Sequence, residues 1–488
     1  MDTADKKSQS SQDKTAQPNL LWTLIPKVPL MIRVILLHAL HMSESAKYLD
    51  MKSDVTISVM RSMLRHAKPQ SILTAQAMTL HDPGVKGRIW VSKVVTENPP
   101  ERGVLDALMA AIDATKDPKE EAPLVEPAIV PVEAEWTGYR AAATPKSTLP
   151  EILEERKYRE LMKECTSSTT VLYFHGGAYY LCDPATHRPL TKKLAKLTGG
   201  RVHSVRYRLA PQHPFPSALL DGLVSYLTLL YPPPGAVHEA VAPKDIVFGG
   251  DSAGGNLCLS LLQVLLEIRR QNRKIRWFGE EREVPLPAGL AVNSPWPDIL
   301  QSMPSWTKNQ KWDYLPPFKL LSSPPPPPDT VWPANPPRRH LYVDDAFLLH
   351  PLASLQFSKS WEGAPPIYVC CGWEVLADEQ KYLVSRLARD GVPVVFEEYQ
   401  GMPHVFAALV PKTAESRRCI EGWTKFITAV CEDPKKIKPS FTSIKAKTLQ
   451  EVEIDVKSLT PFTEKDVRDM ALQIIGQKGP PSDLQAKL

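Results

Sequence analysis

The sequence lacks any paired-cysteine signature. Its seven cysteines are odd in number and irregularly spaced, and no C-x-x-C pair occurs. That spacing argues against a zinc or dithiol redox site, and free thiols fit a reducing compartment. No N-x-[ST] sequon occurs either, in keeping with an intracellular protein. Charge of one sign is scarce: 59 basic and 54 acidic side chains leave a net +5 over 488 residues. No polybasic surface follows from this, so no nucleic-acid partner is expected. Internal repeats are absent. Long unbroken apolar runs are absent too. The greasiest stretch, residues 20–42 (LLWTLIPKVPLMIRVILLHALHM), is broken by Pro26 and Pro29 and interrupted by Lys27 and Arg33. The helix it permits, from Pro29 to about Met42, falls short of the ~20 residues that span a membrane. It also lacks the small-residue cleavage site of a signal peptide. A helix capping the main domain is the plainer reading, and an interfacial anchor on a membrane or lipid particle is the sharper one.

Proline, in contrast, is abundant at 48 residues, and much of it sits in local runs that read as loops. The length suggests one large domain with additions. Residues 1–19 are polar and read as a disordered leader. Residues 20–85 read as an N-terminal helical cap, 86–432 as the main domain, and 433–488 as a C-terminal extension. Within the main domain, residues 297–345 break the rhythm and carry the run Pro324 to Pro328, so they read as an insertion. In the extension, Thr463 and Asp466 can cap a helix whose apolar face is Val467, Met470, Ala471 and Ile474.

From residue 169 onward, apolar β-branched runs alternate with helical patterns. TTVLYF (169–174), RVHSVRY (201–207), DIVFGG (245–250), AGLAVNS (288–294), PIYVCCG (366–372) and PVVFEEY (393–399) read as strands. Two earlier strands fall at 86–95 and 132–139, separated by a Pro/Glu/Ala-rich loop at about 113–131. This pattern predicts an α/β fold with a mostly parallel sheet of about eight strands, covered by helices on both faces.

At 250–254 the chain reads Gly-Asp-Ser-Ala-Gly, directly after a strand and before a helix. A serine at such a turn sits in a strained conformation, so its neighbours must be small, as Gly250, Ala253, Gly254 and Gly255 are. The turn lifts the hydroxyl above the sheet, beside the positive end of the helix dipole. Ser252 is therefore the candidate nucleophile. A second motif, His175-Gly176-Gly177-Ala178, directly follows the strand at 169–174. Acyl transfer builds an oxyanion that needs preorganised N–H donors. The candidates are the backbone amides of Gly176, Gly177 and Ala253, with His175 holding the loop. The chain order Ser, acid, His then points to His404, just past the last strand, as the base. His340 and His350 precede the penultimate strand and fit less well. The acid lies between Ser252 and His404, in CCGWEVLADE. Glu374 directly follows its strand, whereas Asp378 falls where the next helix opens and reads as its cap.

Together, YFHGGAYY, YRLAPQHPFPSAL, GDSAGGNL, HPLAS, GWEVLADE and GMPHVF resemble the hormone-sensitive-lipase family of α/β hydrolases over roughly residues 165–430. The resemblance implies the α/β-hydrolase fold with a helical cap, and cleavage of carboxylic esters, often of lipophilic alcohols, without metal or organic cofactor. It implies Ser252, Glu374 and His404 as a triad, with Asp251 and Asp378 in support. Two positions depart from the family pattern. Ala178 stands where the family's H-G-G-G has its last glycine, and Glu374 stands where aspartate is commoner. The N-terminal stretch and the long tail resemble, more loosely, the fungal branch, some of whose members deacylate sterol esters. That implies an apolar polycyclic or long-chain alcohol, met at a lipid surface through residues 20–42. Amidase, deacetylase and acyltransferase chemistries on the same triad stay open. A non-catalytic receptor is disfavoured, because no triad residue is lost. A cytoplasmic or cytoplasm-facing location is expected. The terminal Ala486-Lys487-Leu488 resembles a peroxisomal address and offers an alternative.

Overall fold

Segments with no polar face set the centre of the molecule. The computed structural model describes residues 24–65, 67–117, 124–316 and 325–476. Twelve strands occur among them. They are β1 (Ile89–Thr96), β2 (Val132–Tyr139), β3 (Thr170–Phe174), β4 (Arg201–Arg206), β5 (Ile246–Asp251), β6 (Ile275–Trp277), β7 (Glu280–Arg282), β8 (Gly289–Asn293), β9 (Ile367–Gly372), β10 (Val394–Tyr399), β11 (Ser440–Ile444) and β12 (Glu451–Glu453). Every residue of β3, β5, β8 and β9 is buried. Burial on both faces is what a parallel sheet between helical layers requires. Alternate side chains serve opposite layers. Leu172 and Phe174 join one core with helices Gly103–Thr115, Ser217–Leu230 and Ala253–Arg270. Val171 and Tyr173 join the other, with Leu194 of helix Pro184–Thr198 and Trp423 of helix Ala414–Glu432.

The main sheet has ten strands in the order β1-β2-β4-β3-β5-β8-β9-β10-β11-β12, and β6 and β7 form a separate hairpin. From β4 through β11 neighbouring strands run parallel. β1–β2, β2–β4 and β11–β12 pair antiparallel. Ten strands replace the expected eight or so, because the extension does not stand apart. Residues 440–444 add to the edge of β10, and Ile444 is fully buried. The segment SFTSI carries too little apolar alternation to announce itself, and the β10 edge supplies the pairing. The supposed loop after β1 also needs correction. Its first part is the end of helix Gly103–Thr115, which buries Val104, Leu105, Leu108, Ala111 and Ile112. The terminal helix Glu464–Gly476 forms with its capping pair: Asp466 N–H donates to Thr463 Oγ1 at 3.2 Å and Thr463 N–H to Asp466 Oδ2 at 2.8 Å.

The N-terminal helices Val28–Ala39, Met51–Arg65 and Ile72–Thr79 lie over loops at the carboxyl ends of the strands. Gln76 Nε2 donates to Ala210 O at 3.0 Å, and Arg61 donates to the carbonyls of Lys311 and Asp313 at 2.7 Å each. Tyr48 packs between Trp312 and Trp373, 5.0 Å from each ring. His38 ties the first helix to the second through Asp54 at 2.9 Å. The first helix turns Val28, Ile32, Ile35 and Leu36 outward, all exposed. Among the described residues no helix is long and apolar enough to cross a membrane. The whole polar leader, Pro324 of the proline run and the C-terminal tripeptide lie outside the described residues.

Because Ile444 is buried in the sheet while Val452 on β12 is exposed, the two should respond differently to truncation. Ile444→Ala is expected to cost about 2–4 kcal/mol in chemical denaturation. Val452→Ala should stay within about 0.5 kcal/mol. Equal effects would mean that the extension is not part of the sheet's cooperative unit.

Candidate active site

Ser252 joins β5 to helix Ala253–Arg270 with φ 52° and ψ −120°. L-residues rarely adopt this conformation, so the surroundings must hold it. Ser252 N–H donates to Asn293 O at 3.1 Å, and its carbonyl accepts from Asn256 N and Trp296 N at 3.0 Å each. The turn also needs missing side chains. A Cβ on Gly254 would strike the carbonyl groups of Phe174 and His175, and one on Gly250 would strike Gly254 and Phe174. Small residues at these places are thus required by the close approach of the helix to the end of β3.

His404 sits in the loop after β10 and turns Nε2 to Ser252 Oγ at 2.9 Å. Its Nδ1 lies 3.1 Å from Glu374 Oε1. If Nδ1 carries the proton and donates to the carboxylate, Nε2 is left to accept the serine hydroxyl proton. Glu374 is fully buried just past β9. Its Oε2 accepts from Ser294 Oγ at 2.6 Å and Gly372 N at 3.3 Å, and its Oε1 accepts from Gln380 Nε2. Ser294 Oγ also accepts from Val405 N at 3.1 Å, so one hydroxyl serves both loops. Burial disfavours charge on His404, but Glu374, with Asp313 and Asp251 behind it, raises the imidazole above the ordinary histidine range.

Asp378 takes a different place. It is the second residue of helix Ala377–Arg389, whose cap position, Leu376, makes no side-chain cap. Its Oδ2 accepts from Ser305 N at 2.9 Å, and burial pushes its carboxyl up. The expectation that Asp378 caps this helix is therefore corrected: it fastens the insertion instead. His340 and His350 lie apart from Ser252, each accepting a backbone N–H two residues on, and burial pushes both down to about 4.

The loop at 175–178 lies against the turn. Gly176 has no room for a Cβ, because Asp251 and Ser252 fill it, and Gly177 has φ 113°. Among the described residues no acceptor takes the amide protons of Gly176, Gly177 or Ala253. His175 contacts Gly176 O through Nδ1 at 2.7 Å and stacks on Tyr207 at 4.3 Å. Burial pushes it down to about 3, so it stays neutral. Ala178, in the place of the family glycine, adopts φ 51°.

Asp251, expected in support, meets two residues that sequence patterns did not single out, Tyr173 and His187. Asp251 accepts from the Tyr173 hydroxyl and lies 3.3 Å from His187 Nε2. Burial works against its charge, yet His187 and Tyr173 hold it below the usual carboxylate range. Ser294, Gln380 and Asp313 were likewise silent, since each contributes by tertiary contact rather than by a local motif. Among the described residues no group of three or more His, Cys, Asp or Glu is arranged to hold a metal ion.

Known proteins resemble this chain in the same region. A family profile described as the alpha/beta hydrolase fold matches residues 171–408. An acetyl-hydrolase of Streptomyces hygroscopicus is 32% identical over 253 residues, 52% of this chain and 73% of that protein. An esterase of Acinetobacter venetianus is 29% identical over 272 residues, 56% of this chain and 78% of that protein. A solved hormone-sensitive lipase from a metagenome library superposes with TM-score 0.50 at 23% identity, over 79% of this chain and 99% of that one, a likeness of fold alone. The parallel sheet, the turn at Ser252 and these matches agree that the chain belongs to the alpha/beta hydrolase fold family.

Proposed function

We propose that the chain is a serine carboxylic ester hydrolase in which Ser252 attacks, His404 relays the proton and Glu374 orients the imidazole. The observation that carries this reading is the unbroken line Ser252 Oγ–His404–Glu374, with spacings of 2.9 and 3.1 Å. Ser252 Oγ attacks the ester carbonyl while His404 Nε2 takes its proton. The amides of Gly176, Gly177 and Ala253 receive the oxyanion. The imidazolium, stabilised by Glu374, then protonates the leaving alcohol. Water, activated by the same histidine, releases the acid and restores Ser252. An alcohol in place of water would make the same acyl-enzyme an acyl donor.

The outer surface supports a lipophilic substrate class. A helix that exposes Val28, Ile32, Ile35 and Leu36 on one side offers an apolar stripe suited to a lipid surface facing the cytoplasm. Esters stored there have lipophilic alcohols, and the looser likeness to fungal relatives points to a sterol. The acetyl-hydrolase among the relatives favours a short acyl group.

A fluorophosphonate probe should label the native enzyme and fail to label Ser252→Ala. Ester turnover in that variant should drop by about 10⁴-fold or more. Glu374→Ala should lose far more activity than Asp378→Ala, and an equal or larger loss at Asp378 would overturn the acid assignment.

The pH profile has a fixed sign. His404 must be neutral to accept the proton, and its carboxylate neighbours raise its pKa. The acid limb of kcat/KM is therefore expected with its midpoint above the ordinary value of about 6.5. A midpoint below that value would contradict the charged environment assigned to His404.

Against acetylated sterols, short-chain aryl esters and triacylglycerols, the first should be preferred. The enzyme should also float with neutral-lipid emulsions, and Ile32→Ser/Leu36→Ser should abolish flotation while sparing turnover of water-soluble aryl esters. Indifference to sterol esters would remove the substrate class, and unchanged flotation would remove the lipid surface.

A further inference from the structure

Asp313 is a fully buried carboxylate in the insertion, with no part in the reaction described above. Its Oδ2 accepts from Val375 N at 2.9 Å, and Val375 directly follows Glu374. Its Oδ1 accepts from Tyr314 N at 2.7 Å and Leu315 N at 3.3 Å. The same oxygen lies 3.4 Å from His404 N, a long bond that reaches the second loop. One side chain thus spans the loop of the acid and the loop of the base.

The segment that presents Asp313 is itself fastened to the acid loop. Asn309 Nδ2 donates to Glu374 O at 2.9 Å, and Ser305 Oγ donates to Val375 O at 2.7 Å. From outside, Arg61 holds the Asp313 carbonyl at 2.7 Å. Burial, with Glu374 nearby, pushes the Asp313 carboxyl up, while the His404 imidazole and four N–H donors favour its ionised form. Such a charge, buried beside an imidazole, favours its protonated form.

We propose that Asp313 is a positioning residue that clamps the Glu374 loop to the His404 loop and adds a second negative charge beside the imidazole. The proposal rests on the reading of Ser252, His404 and Glu374 given above. Three carboxylates act on His404: Glu374 after β9, Asp313 from the insertion and Asp251 at the end of β5. Arg61 and the His404 imidazole are the cationic groups acting on Asp313, and Glu374 is the anionic one. Removing one of the three carboxylates must lower the imidazole pKa, while removing the clamp must loosen its aim at Ser252.

The test is Asp313→Asn in the full chain, assayed with a soluble short-chain aryl ester. The acid limb of kcat/KM should move to lower pH by about half a unit or more. At the plateau kcat should fall about tenfold or more with little change in KM. Asp313→Glu keeps the charge but lengthens the arm, so its limb should stay in place while kcat falls. An unmoved limb in a folded Asp313→Asn would overturn the proposal. If that variant does not fold, Arg61→Gln, at the half-exposed outer end of the same contact, should lower kcat about threefold or more at constant KM. An unchanged kcat there would overturn the clamp. Ser252→Ala separates the two readings. If it stays active, the triad fails. If it is inactive and Asp313→Asn behaves as wild type, only the clamp fails.

Discussion

Helix Ala253–Arg270 can reach the end of β3 only because Gly254 has no side chain, its hydrogen-bearing Cα resting against the Phe174 carbonyl. This close approach forces the sharp turn that puts Ser252 at φ 52°. Such a conformation costs on the order of 1–3 kcal/mol. The hydrogen bonds from Ser252 N to Asn293, and from Asn256 N and Trp296 N to Ser252 O, offset that cost. The same approach lays the loop at 175–178 beside Asp251, so the amides of Gly176 and Ala253 come from two elements pressed together. Ser252 and these amides are set by one backbone contact, and the sheet's job is to hold its two partners in register.

Charge is then divided among carboxylates that are partnered differently. Asp251 sits next to Ser252 but faces His187 and the Tyr173 hydroxyl, so much of its charge is met within its own cluster. Glu374 is surrounded by neutral donors: Ser294, Gln380 and the Gly372 amide. These hold its position without cancelling its charge, which leaves His404 as its cationic partner when protonated. A buried carboxylate arranged in this way favours the protonated form of the His404 imidazole. The added methylene of glutamate is accommodated because three donors fix both oxygens.

Much of this was legible before any coordinates. Strands such as TVLYF and IVFGGD are apolar at nearly every position, and the Ser252 motif is local, so both survive without tertiary knowledge. His404 followed from order along the chain. Asp313 could not be found that way. It lies in KWDYLPP, a segment with neither periodicity nor motif, and its meaning comes from the amides of Val375 and His404, which are 62 and 91 residues away. The helix at 103–115 was hidden differently. Its apolar positions do recur with helical spacing, but the Pro/Glu/Ala-rich stretch after it masked the pattern. Strand β11 was illegible because its short, mixed segment takes its place from pairing with β10 and β12 rather than from its own residues.

The N-terminal segment, the insertion and the C-terminal extension converge on one loop. Gly401, in the turn before His404, has φ 73°, and a Cβ there would strike Tyr48 of the N-terminal segment. Lys447 of the C-terminal extension donates to the Ala46 carbonyl, two residues before that tyrosine. The insertion meets the same loop through Asp313 and packs Trp312 on Tyr48. The N-terminal helices, insertion and extension are therefore not independent decorations. Each touches another as well as the loop that carries His404, and the outward apolar helix is joined to this group through His38 and Asp54. Bracing the histidine loop from three sides restrains it against drift, so that each segment bears on the 2.9 Å contact between His404 and Ser252.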